Sequence, residues 1–188
     1  MMSRGLAVLA LAGSIGVGSV GAAETLKLDA EQSKIEFLGK KTDGQHVGGF
    51  KKFQADAAAD FEQPASSKLE IVIDTPSIWS DNDKLTNHLK NPDFFDVRKH
   101  PKVTFTATKI STSGEETAAG EETTTISGNL TMLGKTVPVT IPAKVDVSDE
   151  QVQINATFKL DRTKWGMNYG VGNIENDVEV KATLVFVR

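Results

Sequence analysis

The chain has 188 residues, with 25 acidic against 21 basic side chains, a formal charge of −4 and no cysteine. This mildly acidic balance argues against nucleic-acid binding, which wants a basic face. Without thiols there are no disulfide staples, thiolate nucleophiles or cysteine metal sites, so the fold must be held by its own core.

Met1 to Ala23 carries one early charge, Arg4, then an apolar run from Leu6 to Val20 thinned by Gly and Ser, and ends in Val20-Gly21-Ala22-Ala23. These features predict a secretory signal peptide over residues 1–23. The run is short and glycine-rich against the roughly 20 apolar residues that a membrane span needs. Leu11-Ala12-Gly13-Ser14 looks like a lipoprotein box with serine where the lipid-bearing cysteine would stand. With no thiol to anchor, a soluble exported protein is expected, periplasmic or secreted. Removing Arg4 leaves 20 basic residues against 25 acidic ones and moves the formal charge from −4 to −5. Residues 24–188 have the length of one domain.

Most of that domain alternates apolar and polar residues. Ile35 and Phe37 alternate with Lys34 and Glu36. Leu69, Ile71 and Ile73 do so around Glu70, and Val103, Phe105 and Ala107 around Thr104 and Thr106. Val152 to Leu160 and Val178 to Phe186 repeat the pattern. Such alternation predicts strands with one dry face, and about eight of them with short turns predict an antiparallel sandwich or closed barrel. Gly44, Gly48 and Gly49 predict a bend or bulge where backbones approach closely. Pro138 and Pro142 predict a bent or edge strand. Gly114 to Glu122 has no apolar period and reads as an acidic hairpin loop.

The exception is one short helix near residues 81–90. Ser80 is its expected cap, Asp81 and Asp83 suit its positive end, and Pro92 stops it. Leu85, His88 and Leu89 share a face, which predicts a helix lying across a barrel opening. Asn91-Pro92-Asp93-Phe94-Phe95-Asp96 follows. Adjacent phenylalanines in a turn must insert into something apolar, because each ring buries on the order of 150–250 Å². They plug a core or border a cavity.

No catalytic constellation stands out. His46, His88 and His100 have no ligand spacing, such as two histidines four apart on a helix. There is no Gly-x-Ser-x-Gly elbow and no phosphate loop, and no metal or cofactor is expected. The inward apolar face offers Phe37, Phe50, Phe53, Ile71, Ile73, Phe105, Leu130, Met132, Ile154, Phe158, Val180 and Leu184 as lining. Gly128, Ala156 and Ala182 leave room beside them. Alternation alone leaves a cavity and a solid core equally open. Polar candidates for a mouth are Lys40, Lys41, His46, Lys51, Lys52, Asn87, His88, Arg98 and Trp165.

Several segments together resemble the YceI-like polyisoprenoid-binding family. They are Gly48-Gly49-Phe50-Lys51-Lys52-Phe53, Asp81 to Leu89, Asn91 to Phe105, Gly128 to Val139, and Asp161-Arg162-Thr163-Lys164-Trp165-Gly166-Met167, in the family's order. Lys40 to Val47 departs from the family's more apolar stretch. The resemblance implies a single lipocalin-like up-and-down β-barrel that holds a long isoprenoid chain, a polyprenyl lipid or isoprenoid quinone, for transport, storage or envelope stress response. It implies ligand contacts from Phe37, His46, Phe50, Phe53, Ile71, Ile73, Leu85, His88, Leu89, Phe94, Phe95, Phe105, Met132 and Phe158, with Trp165, Met167 and Tyr169 at a rim. Transient membrane contact and a homodimer stay open. The alternatives are a protein-interaction module with a solid core, and an isomerase or cyclase of an apolar substrate using His46 or His88.

Overall fold

The computed structural model describes residues 23–116 and 122–188. Residues 1–22 of the expected signal peptide and the tip of the acidic loop lie outside the described residues. Among the described residues eleven strands form: β1 Glu24–Leu28, β2 Lys34–Lys41, β3 Gly44–Phe50, β4 Phe53–Ala59, β5 Lys68–Asp74, β6 Ile78–Ser80, β7 Lys102–Glu116, β8 Glu122–Met132, β9 Lys135–Val147, β10 Gln151–Asp161 and β11 Asp177–Val187. The one α-helix among the described residues, α1, spans Asp83–Leu89. No helix among the described residues is long and apolar enough to cross a membrane.

All ladders are antiparallel, in the order β1-β4-β5-β7-β8-β9-β10-β11-β2-β3-β6, and β1 also pairs with β11. That pairing closes an eight-stranded barrel. The expectation of about eight strands thus holds for the closed ring, and β2, β3 and β6 are additional. One edge of β11 runs beside β10 along its whole length. Its other edge pairs with β2 over Glu179–Thr183 and with β1 over Phe186–Val187. The extra strands therefore extend the wall at the Asp177 end of β11.

Register brings the apolar faces into rows. Phe158 faces Val180, which faces Phe37, and Ala156 faces Ala182, which faces Ile35. Ile71 faces Phe105, which faces Leu130. Because side chains alternate with period two, these pairings put one continuous apolar surface inside. Leu26, Ala55, Leu69, Ile126, Ala143, Val152 and Phe186 belong to one buried apolar cluster, of which Leu69 and Ile126 also reach the interior cavity described below. At the helix end a second cluster forms from Ile78, Leu89, Phe94, Val103, Met132, Trp165 and Met167.

Local details refine several expectations. The helix cap is Asn82, not Ser80: Asn82 Oδ1 accepts from the Leu85 amide at 3.0 Å. The Ser80 hydroxyl donates instead to the Asn82 carbonyl at 2.8 Å. Gly48 and Gly49 sit in regular register with Phe37 and Glu36, so there is no bulge there. They are glycine because of close approach: a Cβ on Gly48 would collide with the Phe37 ring and the Trp79 carbonyl. β9 pairs with β8 from Lys135 to Ala143 but with β10 only from Ala143 to Val147. Pro138 and Pro142 thus lie where β9 is laddered on one side, as a residue without an N–H requires. β7 and β8 run on to Glu116 and from Glu122, which shortens the acidic loop.

Candidate ligand cavity

The interior of the barrel holds a cavity of about 410 Å³, within the roughly 300–1,000 Å³ range of small-molecule sites. Strands supply most of its wall: Phe37, Phe50, Ile71, Ile73, Phe105, Leu130, Met132, Ile154, Ala156, Phe158, Val180, Ala182 and Leu184. Leu85 and Leu89 of α1 and both plug phenylalanines, Phe94 and Phe95, close the helix end, and Met167 joins them. The β2–β3 hairpin adds Gly39, Lys40, Lys41 and His46, and here the cavity reaches solvent, since both lysines are exposed.

The plug is held by backbone bonds. The Phe95 amide donates to the Leu89 carbonyl and the Phe94 amide to the Asn91 carbonyl, both at 3.0 Å, and the Val97 amide donates to the Lys90 carbonyl at 3.1 Å. The turn is therefore tied to the C-terminal end of α1. Phe95 stands edge-on to Phe50 with centroids 5.6 Å apart. Phe94 turns the other way, into an aromatic group with His88 at 4.9 Å and Tyr169 at 5.3 Å.

Four expected contacts do not line the cavity. Phe53 packs against the first buried cluster from β4, opposite Ile73, without reaching the cavity. His88 points out of the cavity, between Phe94, Tyr169 and Asp93, with its Nε2 at 2.8 Å from Asp93 Oδ2. Tyr169 lies on the outer side of that group, 46% exposed. Trp165 is no rim residue: it is 1% exposed, and its indole N–H donates to the Leu130 carbonyl at 3.0 Å. It is a strut between the 162–165 turn and β8. Among the polar candidates, Lys51, Lys52, Asn87 and Arg98 are exposed away from the cavity. Gly128 leaves no room, because the Phe105 ring fills the place of its side chain.

Several lining residues were not singled out in the sequence. Ile35, Leu69, Val103, Leu160 and Val178 each continue an alternation already used for a neighbour two residues away. Ile174 lies in the loop before β11, where no period identifies it. Arg162 is the largest surprise: it lines the cavity at 3% exposure. Its guanidinium donates to the carbonyls of Met167 at 2.6 Å, Glu175 at 3.1 Å and Ile174 at 3.3 Å. Desolvation pulls its pKa below the usual arginine range, and the nearby Asp161 carboxylate opposes that.

His46 and Asp81 tie the hairpin to the entry of α1. Nδ1 of His46 lies 2.9 Å from Asp81 Oδ1, and the Val47 amide donates to Oδ2 at 3.2 Å. The hydrogen bond with His46, then that of Val47, holds the Asp81 carboxyl below its ordinary pKa. Chemically, the arrangement is a nearly all-apolar chamber with its polar side chains gathered at one mouth. It suits an amphiphile, with roughly 0.8 kcal/mol gained for each methylene moved out of water.

A closed antiparallel barrel of this kind, with an internal apolar cavity and a helix across one end, is lipocalin-like. Residues 26–186 match the YceI-like domain, and the chain belongs to that family. A UPF0312 protein of Pseudomonas putida (strain GB-1) is 31% identical over 179 residues, covering 89% of this chain and 88% of the relative. A UPF0312 protein of Pseudomonas paraeruginosa is 32% identical over 197 residues, covering all of both chains. Among solved structures, BcnA of Burkholderia cenocepacia superposes with a TM-score of 0.76 at 23% identity, covering 85% of this chain and 99% of that one. A polyisoprenoid binding domain from Saccharophagus degradans gives 0.62 at 14% identity, covering 88% and 98%. These last two likenesses show a shared fold.

Proposed function

We infer that this protein is a non-catalytic carrier that holds the apolar chain of a long isoprenoid, or a similar amphiphile, inside the barrel after export to the cell envelope. The observation that supports this most is the cavity itself: an apolar chamber inside the barrel that reaches solvent beside Lys41 and His46. It weighs against a solid-core interaction module. Family membership and the fold shared with a polyisoprenoid binding domain support the same ligand class. The sequence of residues 1–23 supports export.

The energetics suit exchange rather than reaction. A prenyl chain gains on the order of 0.8 kcal/mol per methylene on leaving water, but a bilayer offers the same gain. Protein and membrane therefore compete near parity, which allows loading and release. The test is mass spectrometry of the organic extract from protein purified without detergent from its native envelope. A stoichiometric isoprenoid is the expected result. An empty extract, together with failure to take up added prenyl quinone, would sink the carrier reading.

A further inference from the structure

Gly39 lines the cavity from within β2 and has no reason in the fold to be glycine. A Cβ built there meets no atom within 4 Å, unlike those at Gly48, Gly49 and Gly128, which would collide with their neighbours. Nor is it one of the positive-φ glycines. A glycine inside a strand costs roughly 0.5–1 kcal/mol against alanine. What the missing side chain leaves is open space at the mouth.

Across the ladder Gly39 faces His46, whose ring also lines the cavity. An ionised carboxylate can only accept, so the Asp81 contact at 2.9 Å fixes the proton on Nδ1. Nε2 of the neutral ring is then a lone-pair acceptor, and it has no partner among the described residues. Two other polar groups of the wall are committed. Lys41 pairs with Asp43 at 3.1 Å, and Arg162 is spent on three carbonyls. Glu36 and Lys40 also border the cavity, from strand positions that alternate with those of Phe37, Gly39 and Lys41, and Lys40 is exposed to solvent.

We propose that Gly39 and His46 form a head-group site at the mouth of the barrel, where the open face of Gly39 seats the polar end of the lipid and His46 Nε2 accepts a hydrogen bond from its hydroxyl. The ligand class is a long-chain alcohol or phenol, in preference to an ether or a hydrocarbon. This rests on the carrier reading above and names the chemistry of its ligand's polar end.

The test uses farnesol and farnesyl methyl ether, which share a chain and differ in the one O–H. Affinities are measured by titration calorimetry at pH 8, above the ordinary imidazole range. Farnesol is expected to bind about fivefold to tenfold tighter, the value of one hydrogen bond. His46→Phe removes that preference, so that the ratio of the two affinities falls to about one. Gly39→Leu lowers farnesol affinity by about tenfold, the size of effect a filled pocket position has. Gly39→Ala, with its Cβ in open space, is the milder variant that keeps the fold. In the unaltered protein the imidazole ¹⁵N signal of His46 Nε2 moves with farnesol and not with the ether. Equal affinities, or a preference that survives in His46→Phe, overturn the head-group site and leave the carrier reading standing. Failure of both probes to bind overturns the two together.

Discussion

Phe95 meets Phe50 edge-on across the mouth end of the cavity, with ring centroids 5.6 Å apart and planes at 86°. One ring comes from the turn after α1 and the other from the end of β3, so this contact joins the cap of the barrel to its wall. Phe50 in turn leans on Phe37 at 6.2 Å. The chain of rings leads from the cap to the extra strands.

Removing the cap ring should therefore be felt twice. Phe95→Ala is expected to cost about 2–4 kcal/mol in stability, from a lost aromatic pair and a partly collapsed site. Phe95→Asp should fold less stably and retain less lipid, because it sets a carboxylate against an apolar chamber. Denaturant midpoints and extracted lipid per mole of protein check both. Full lipid retention in a folded Phe95→Asp would count against the cap as a cavity wall.

Trp165 separates stability from binding. Trp165→Phe keeps much of the buried bulk but leaves the Leu130 carbonyl without the indole donor that reaches it at 3.0 Å. The expected cost is about 1–3 kcal/mol, with unchanged lipid uptake because the ring lies outside the cavity. Urea unfolding beside lipid loading checks this, and a loss of uptake at full stability would return Trp165 to the rim.

How much of this was legible in the sequence follows from what alternation encodes. It tells which face of a strand is dry, and so Phe37, Ile71, Phe105 and Phe158 were placed on the inner wall. It does not tell which of two cross-strand neighbours reaches the chamber: Phe53 pairs with Ile73, yet of the two only Ile73 lines it. Gly128 was misread for a related reason: a small residue marks space, but only the register shows that the Phe105 ring takes it. Loops carry no period at all. Trp165 and Tyr169 could be named as aromatic but not sorted into strut and surface, and Arg162 could not be told from a solvated charge. The helix was legible from its leucines and Pro92. Its cap was not, because Ser80, Asp81 and Asn82 are all good capping types and tertiary contacts chose among them: Asp81 went to His46.

Glycines at two positions of one hairpin should respond in opposite ways. Gly48→Ala drives a Cβ into the Phe37 ring and the Trp79 carbonyl, and a backbone carbonyl cannot move aside cheaply. A loss of about 1–3 kcal/mol is expected, as for overpacking. Gly39→Ala meets nothing, and relief of strand entropy should leave stability unchanged or raised by up to about 1 kcal/mol. Thermal melts of the two variants side by side check this contrast, and an equal loss in both would refute it.

Acid should loosen the link between hairpin and helix. The Asp81 carboxyl is held below its ordinary value of 3.8, chiefly by the hydrogen bond with His46. A carboxyl whose folded pKa is depressed adds stability that is complete above the unfolded value and vanishes as pH falls through the folded one. The contribution of Asp81 should therefore be present at pH 5 and fade below about 4. It is modest, because the pair is partly exposed and screened. Urea midpoints from pH 3 to pH 6 should fall less steeply in Asp81→Asn than in the unaltered protein, and identical slopes would dismiss the link.

Arg162 explains why the loop before β11 can form a cavity wall at all. Its guanidinium reaches Met167 near the start of the loop and Ile174 and Glu175 near its end. A single buried fork thus pins both ends of the segment that brings Met167 and Ile174 to the ligand chamber. Lysine is a point charge without the fork and cannot span three carbonyls at once. Arg162→Lys should therefore release the loop, and Arg162→Met should also leave those carbonyls unpaired, at about 2–3 kcal/mol given hydrogen bonds from a charged donor. Amide hydrogen exchange is the measurement. The Met167, Asn173 and Ile174 amides bond within this segment, and their protection should fall in both variants while that of β10 amides persists. Unchanged protection at those three amides would mean that the loop is held by Ile174 packing alone.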